Sequence, residues 1–166
     1  MVNGNDSVRT LYVRESGLYR AATPEETLGA AQQAIARRFR RAAALRSPQK
    51  VQEYLRIMFS TLDHEVFCML LLDTHHRLLS FQRMFRGTLD GAAVFPREVV
   101  KEVLRYNAAE VIFAHNHPSG QAEPSAADAA ITRRLRDALA LIDVQVIDHF
   151  VVAGTQFVSM AERGLI

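Results

Sequence analysis

The sequence predicts an α/β protein, a mixed and curved sheet flanked by helices, and three observations carry that expectation. Glu65 to Asp73 (EVFCMLLLD) is apolar almost throughout, which suits a central strand covered on both faces. Val111 to Ala114 (VIFA) repeats this in shorter form. From Pro48 onward such runs alternate with segments of helical periodicity, two of them beginning at or just after a proline.

Taken in order, the first ten residues are polar and expected to be loose. Thr10 to Arg14 has strand-like residues, and Ser16-Gly17 reads as a turn. A helix then starts with Thr23 as N-cap, Pro24 at its first position and Glu25 and Glu26 in its first turn; it is expected to run to about Ala44, with Ser47-Pro48 marking the end of the segment. Residues 1–47 thus form a strand–helix extension to a main domain spanning 48–166. In that domain Gln49 to Phe59 reads as helix. Asp73 to His76 is the turn of a hairpin whose returning strand is Arg77 to Phe85. Pro96 opens a helix with Val99, Val100, Val103 and Leu104 on one face. A long helix follows from about Ser125 to Leu141, and Val144 to Val152 and Gln156 to Ser159 are strands around Gly154.

At 166 residues, with 49% apolar and 23% charged residues, the chain fits one globular domain with a short appendage. A net charge of +2 neither demands nor excludes a nucleic-acid partner. Cys68 is the single cysteine and reads as a small core side chain, so a four-cysteine zinc site is excluded. No signal peptide is visible, and the longest apolar run, Val66 to Leu72, is far too short to span a bilayer. The expectation is a soluble cytoplasmic protein without a membrane partner. Arg37, Arg38, Arg40, Arg41 and Arg46 read as a solvated face at the negative end of a helix dipole, with a phosphate-binding patch as the alternative. His75 and His76 are adjacent on a turn, diverge, and read as surface residues.

The chemistry concentrates in His115-Asn-His-Pro-Ser-Gly-Gln-Ala-Glu-Pro-Ser125-Ala-Ala-Asp128, which follows a strand and precedes a helix. A strand's period of two sends His115 and His117 to the same side. Ser125 and Asp128 lie on one face of the next helix's first turn. Taken alone, Ser-x-x-Asp is a capping box, His-x-His is weak and Pro-Ser-Gly is a turn. Together at one junction they offer two imidazoles and a carboxylate, a donor set that leaves a fourth position open on a zinc ion. Asp148 and His149, on a later strand, read equally as support behind such ligands or as core and surface residues.

His-x-His, seven residues, then Ser-x-x-Asp is the signature of the JAMM metalloproteases, also called MPN-plus or JAB domains, and the chain resembles them from His115 to Asp128 with full spacing. More narrowly it resembles the RadC family, whose motif begins HNHPSG. EVFCMLLLD, FRGTLDGAAVFPREVVKEVL, NAAEVIFAHNHPSG, EPSAADAAITRRL, DHFVVAG and SMAERGLI are similar to family blocks across residues 48 to 166. The N-terminal part resembles short RadC-like proteins carried on mobile elements. It shows no helix-hairpin-helix module, which weakens any expectation of direct DNA binding.

The resemblance implies a JAB/MPN-like, cytidine-deaminase-like architecture and one Zn²⁺ per chain held by His115, His117 and Asp128. It implies that Ser125 positions the water or donates to the oxyanion, and that a glutamate near the start of a core strand is the general base. Glu65, heading EVFCMLLLD, matches; its competitor Glu98 follows Pro96 and reads as a solvated first-turn acid. The expected reaction is hydrolysis of a peptide, isopeptide or related amide. A metal-dependent phosphoesterase remains open, as does a non-catalytic accessory role beside DNA-repair, recombination or mobile-element proteins. The residues HNH are consecutive here, unlike the dispersed set of HNH nucleases. An amidohydrolase barrel needs roughly 250 residues, and neither a metallo-β-lactamase continuation nor an HExxH motif is present.

Overall fold

A computed structural model describes residues 10–41, 44–60, 62, 64–87 and 94–166, with backbone alone at 39–41. The loose N-terminal residues 1–9 and the side chains of Arg40 and Arg41 lie outside the described residues. The chain opens with an antiparallel hairpin of β1 (Tyr12–Glu15) and β2 (Leu18–Ala21). Its two-residue turn needs positive φ at both positions, supplied by Ser16 at 50° and Gly17 at 88°. The turn was legible in the sequence and the second strand was not. Every residue of β2 is exposed, so it carries no apolar pattern to read.

Helix α1 (Pro24–Arg41) begins with a reciprocal cap: Thr23 Oγ1 accepts from the Glu26 N–H at 3.2 Å, and a Glu26 carboxylate oxygen accepts from the Thr23 N–H at 2.8 Å. It ends before Ala44, contrary to the sequence expectation. Ala44 instead bridges Arg77, and the Leu45 N–H donates to the His76 carbonyl at 2.8 Å, so the sheet's hairpin claims this backbone. Helix α2 (Pro48–Met58) follows, capped by Ser47. Among the described residues no helix is long and apolar enough to cross a membrane.

The main sheet contains β3 (Val66–Leu72), β4 (Leu78–Arg86), β5 (Glu110–Asn116), β6 (Gln145–Ala153) and β7 (Gln156–Ser159), in the order β4-β3-β5-β6-β7. Strands β5 and β6 are parallel and the other neighbours antiparallel. A parallel pair needs a crossover, and helix α4 (Ala126–Ala140) provides it. Helix α3 (Pro96–Arg105) lies between β4 and β5 in the chain.

All seven residues of β3 are buried because the sheet has helices on both faces. Cys68, Leu70 and Leu72 join Val51, Tyr54 and Leu55 of α2 in one core. Phe67, Met69 and Leu71 join Val99 and Val103 of α3 and Leu135 and Leu139 of α4 in the other. On α3, Leu104 departs from the expected apolar face and is 61% exposed, since contact is confined to the Val99–Val103 stripe.

This alternation positions the functional end of β5. Ile112 and Ala114 pack in the α2 core and Val111 and Phe113 in the α3–α4 core. Continuing by twos sends His115 toward α4 and Asn116 toward α2. The Asn116 side chain there accepts from the Val66 N–H at 2.9 Å and donates to the His64 carbonyl at 2.9 Å. It clasps the two peptide groups flanking Glu65, whose own carbonyl accepts from the Gly87 N–H at 3.0 Å. Asn116→Ala strips partners from two groups at the edge of the core and should lower unfolding free energy by about 1–3 kcal/mol in urea titrations; an unchanged midpoint would show that the clasp carries no stability.

Burial pushes the Cys68 thiol up to about 12, against a small opposing effect of Arg83. The native protein should therefore resist an aromatic disulfide reagent in mildly alkaline buffer and release one thiol per chain only after unfolding. Rapid titration of the folded chain would contradict this packing.

Candidate metal centre

The junction from β5 to α4 collects the candidate residues. His115 lies inside β5, paired with Phe67 on one side and Val151 on the other, and is fully buried. Just past the strand, His117 still donates its N–H to the Val152 carbonyl at 2.8 Å, which keeps its backbone in strand geometry. The chain then turns at Pro118–Gly120; Gly120 supplies the positive φ of 84° that closes the turn, and its N–H reaches the His117 carbonyl at 3.2 Å.

Asp128 arrives from the opposite direction, at the third position of α4. Ser125 caps this helix: its hydroxyl oxygen accepts from the Asp128 N–H at 3.1 Å, while its own N–H and hydroxyl donate to Asp128 Oδ2, each at 2.7 Å. The capping box and the candidate ligand set therefore share residues. Oδ2 is taken up by the cap, which leaves Oδ1 turned toward His115.

One ligand atom from each of His115, His117 and Asp128 lies within 4.8 Å of the others. His115 Nε2 is 2.9 Å from His117 Nε2 and 3.2 Å from Asp128 Oδ1. Burial alone would push the Asp128 carboxyl up. The His115 imidazole beside it and the N–H and hydroxyl of Ser125 outweigh that and hold it well below the usual carboxylate range. A buried anion thus faces two imidazole nitrogens, and its Oδ1 accepts no hydrogen bond among the described residues. This donor set, two ring nitrogens and one carboxylate oxygen with an orphaned lone pair, fits a metal cation.

Behind the ligands lies a polar layer. His115 Nδ1 is 2.8 Å from His149 Nε2 on β6, and His149 Nδ1 is 2.5 Å from the Thr132 hydroxyl on α4. Burial, then the neighbouring His115, lowers the His149 pKa well below its ordinary value, so this imidazole is neutral. His117 Nδ1 lies 2.8 Å from the Gln121 carbonyl. Asp148 faces elsewhere: it accepts from the N–H groups of His149 and Ala161 and the hydroxyl of Ser159, tying the C-terminal segment to β6. Burial raises its pKa.

Glu65 precedes β3 directly and lines a cleft of about 500 Å³ with His64, Gly87, His117, Pro118 and Ser119. On the other flank of the His117 loop, Arg56, Phe59, Ser60, Asn116 and Gly154 line a second cleft of about 440 Å³. Glu98 is held in the first turn of α3 by Lys101 at 2.8 Å and is not part of this cleft. Of the predicted residues the structure brings His115, His117, Ser125 and Asp128 into one cluster, and Glu65 lines the same cleft as His117. Asn116 and Thr132 were missed by sequence reasoning. Asn116 stood in plain view between the two histidines, whereas nothing in the sequence links Thr132 to His149.

The segment from 45 to 165 matches the family model described as a RadC-like JAB domain. The chain is 52% identical over 154 residues to a UPF0758 protein of Methylibium petroleiphilum, covering 93% of this chain and 69% of that protein. It is 47% identical to one from Marinobacter nauticus, over 93% of this chain and 69% of that protein. A UPF0758 protein of Vibrio cholerae is 50% identical over 147 residues, which make up 89% of this chain and 92% of that protein. With a sheet covered by helices on both faces, the strand-to-helix junction and its His-His-Asp cluster, these matches show that the chain belongs to the RadC-like JAB domain family.

Proposed function

We propose that the protein is a zinc-dependent hydrolase of JAMM type that cleaves a peptide, isopeptide or related amide bond. The observation that carries this reading is the convergence of two imidazole Nε2 atoms and the orphaned Asp128 Oδ1 beside a cleft that Glu65 shares. His115, His117 and Asp128 would hold the ion, and two nitrogens with one carboxylate oxygen suit Zn²⁺. When bound, zinc supplies a Lewis acid that acidifies water and polarises a substrate carbonyl.

The chain's own residues divide the remaining work. Glu65 is the general base: its carboxylate takes a proton from the attacking water and returns it to the leaving amine nitrogen. The Asn116 clasp on its flanking peptides and the Gly87 N–H on its carbonyl hold the backbone of Glu65 in place. Ser125 orients Asp128 through its N–H and hydroxyl. Rotation about its Cα–Cβ bond would carry the same hydroxyl toward the oxyanion, a donor role worth about 2.7–4 kcal/mol in other hydrolases. The substrate chain would lie in the cleft between the Glu65 segment and the His117–Ser119 loop.

The test is metal content by elemental mass spectrometry, followed by screening of peptide and isopeptide substrates. The wild-type protein should carry about one zinc per chain, and the double variant His115→Ala, His117→Ala should carry none. Glu65→Ala should keep its zinc and fold while hydrolysis falls by about 10²–10⁴-fold. A wild-type chain that takes up no metal, even after zinc is supplied and the excess removed, would sink this reading and favour an accessory role.

A further inference from the structure

Three hydrogen bonds behind His115 form a continuous line whose direction follows from counting protons. The main-chain carbonyl of Asp128 can only accept, so the single hydroxyl proton of Thr132 points to it, at 2.5 Å. Thr132 Oγ1 then accepts from His149, 2.5 Å away, which places the proton of that ring on Nδ1. A neutral imidazole carries one N–H, so His149 Nε2 is an acceptor. Its partner at 2.8 Å, His115 Nδ1, must therefore be the protonated nitrogen of that ring. With Nδ1 so engaged, Nε2 is the nitrogen of His115 left for a cation, on the side shared with His117 and Asp128. By the same count, the Gln121 carbonyl at 2.8 Å places a proton on His117 Nδ1.

We infer that Thr132 and His149 are positioning residues, forming a hydrogen-bond wire that starts at the Asp128 carbonyl and fixes the tautomer and ring plane of His115. The inference rests on the metal reading above, because presenting a lone pair at Nε2 is what a ligand histidine must do. The wire joins two of the three candidate ligands by a route separate from the ion: it leaves the backbone of Asp128 on α4 and returns through β6 to His115 on β5. Helix and sheet are thereby braced across the site.

The packing makes the wire rigid. Thr132 and His149 are both fully buried. The His149 ring meets Phe67 and Phe113 edge-on, with centroids 5.5 and 6.0 Å away. A carboxylate in place of His149 would accept the same hydrogen bond but would put a second charge in a buried site that already holds Asp128. A neutral imidazole, oriented by a hydroxyl that is itself anchored to the main chain, avoids that cost.

The experiment uses the full chain labelled with ¹⁵N at histidine, stripped of metal and studied in mildly alkaline buffer. Long-range ¹H–¹⁵N spectra report which nitrogen of each ring bears the proton. His149 should be protonated at Nδ1 alone, and His115 and His117 should each carry a proton on Nδ1. Thr132→Val should change the His149 and His115 patterns and weaken Zn²⁺ binding, in competition with a colorimetric chelator, by about 10–100-fold. Thr132→Ser, which keeps the hydroxyl, should restore both readouts. The wire is overturned if wild-type His115 carries a proton on Nε2 and none on Nδ1, or if Thr132→Val keeps the wild-type ring pattern and zinc affinity. Should Thr132→Val not fold, the wild-type spectrum alone decides. Whether the wild type binds zinc at all tests the metal reading separately, since tautomers are read in the metal-free protein.

Discussion

A carboxylate almost fully removed from water is costly unless its surroundings supply donors or a cation, and the polar structure of this protein is arranged around one such group, Asp128. Half of the need is met locally. The cap formed by Ser125 satisfies Oδ2 and fixes the first turn of α4 at the same time. The other half is met across the fold, by turning Oδ1 to the His115 ring nitrogen at 3.2 Å, with His117 Nε2 3.8 Å from Oδ2. A helix start, normally a local matter of capping, thus becomes the point where the crossover is locked against the sheet.

The sheet supplies the opposing side through the alternation of β5. Successive residues of that strand serve different layers: the odd positions reach α3 and α4, and the even positions reach α2. At the end of the strand the same alternation carries polar rather than apolar groups. His115 faces the helix bearing Asp128, while Asn116, on the other side, grips the peptides on either side of Glu65. The candidate base and the candidate ligands are therefore placed by neighbouring residues of one strand. Both depend on the antiparallel register of β3 against β5, in which Phe67 faces His115.

Much of this was legible in the sequence because its causes are local. Apolar runs as dense as EVFCMLLLD have few alternatives to a doubly covered strand. Pro24, Pro48 and Pro96 mark helix starts through their fixed φ, and Ser16-Gly17 marks a turn. Where the reading failed, the deciding partner was distant. Ala44 left the helical pattern for a bridge to Arg77, Leu104 lost its place on the apolar face because α3 packs along a narrow stripe, and β2 offered no buried face to reveal it.

The sequence by itself determined the candidate cluster, because His115, His117 and Asp128, with the capping Ser125, fall within fourteen residues and their spacing matches strand and helix periods that need no tertiary knowledge. Only the tertiary structure decided what stands behind and beside that set. His149 could have been core, surface or support, and it became the partner of His115 because β6 pairs in parallel with β5 at a register that places His149 opposite Phe113. Thr132 reached His149 because α4 crosses over that pair. Such contacts join positions 17 and 34 residues apart, and a chain's local pattern carries no record of the strand register that brings them within hydrogen-bonding distance.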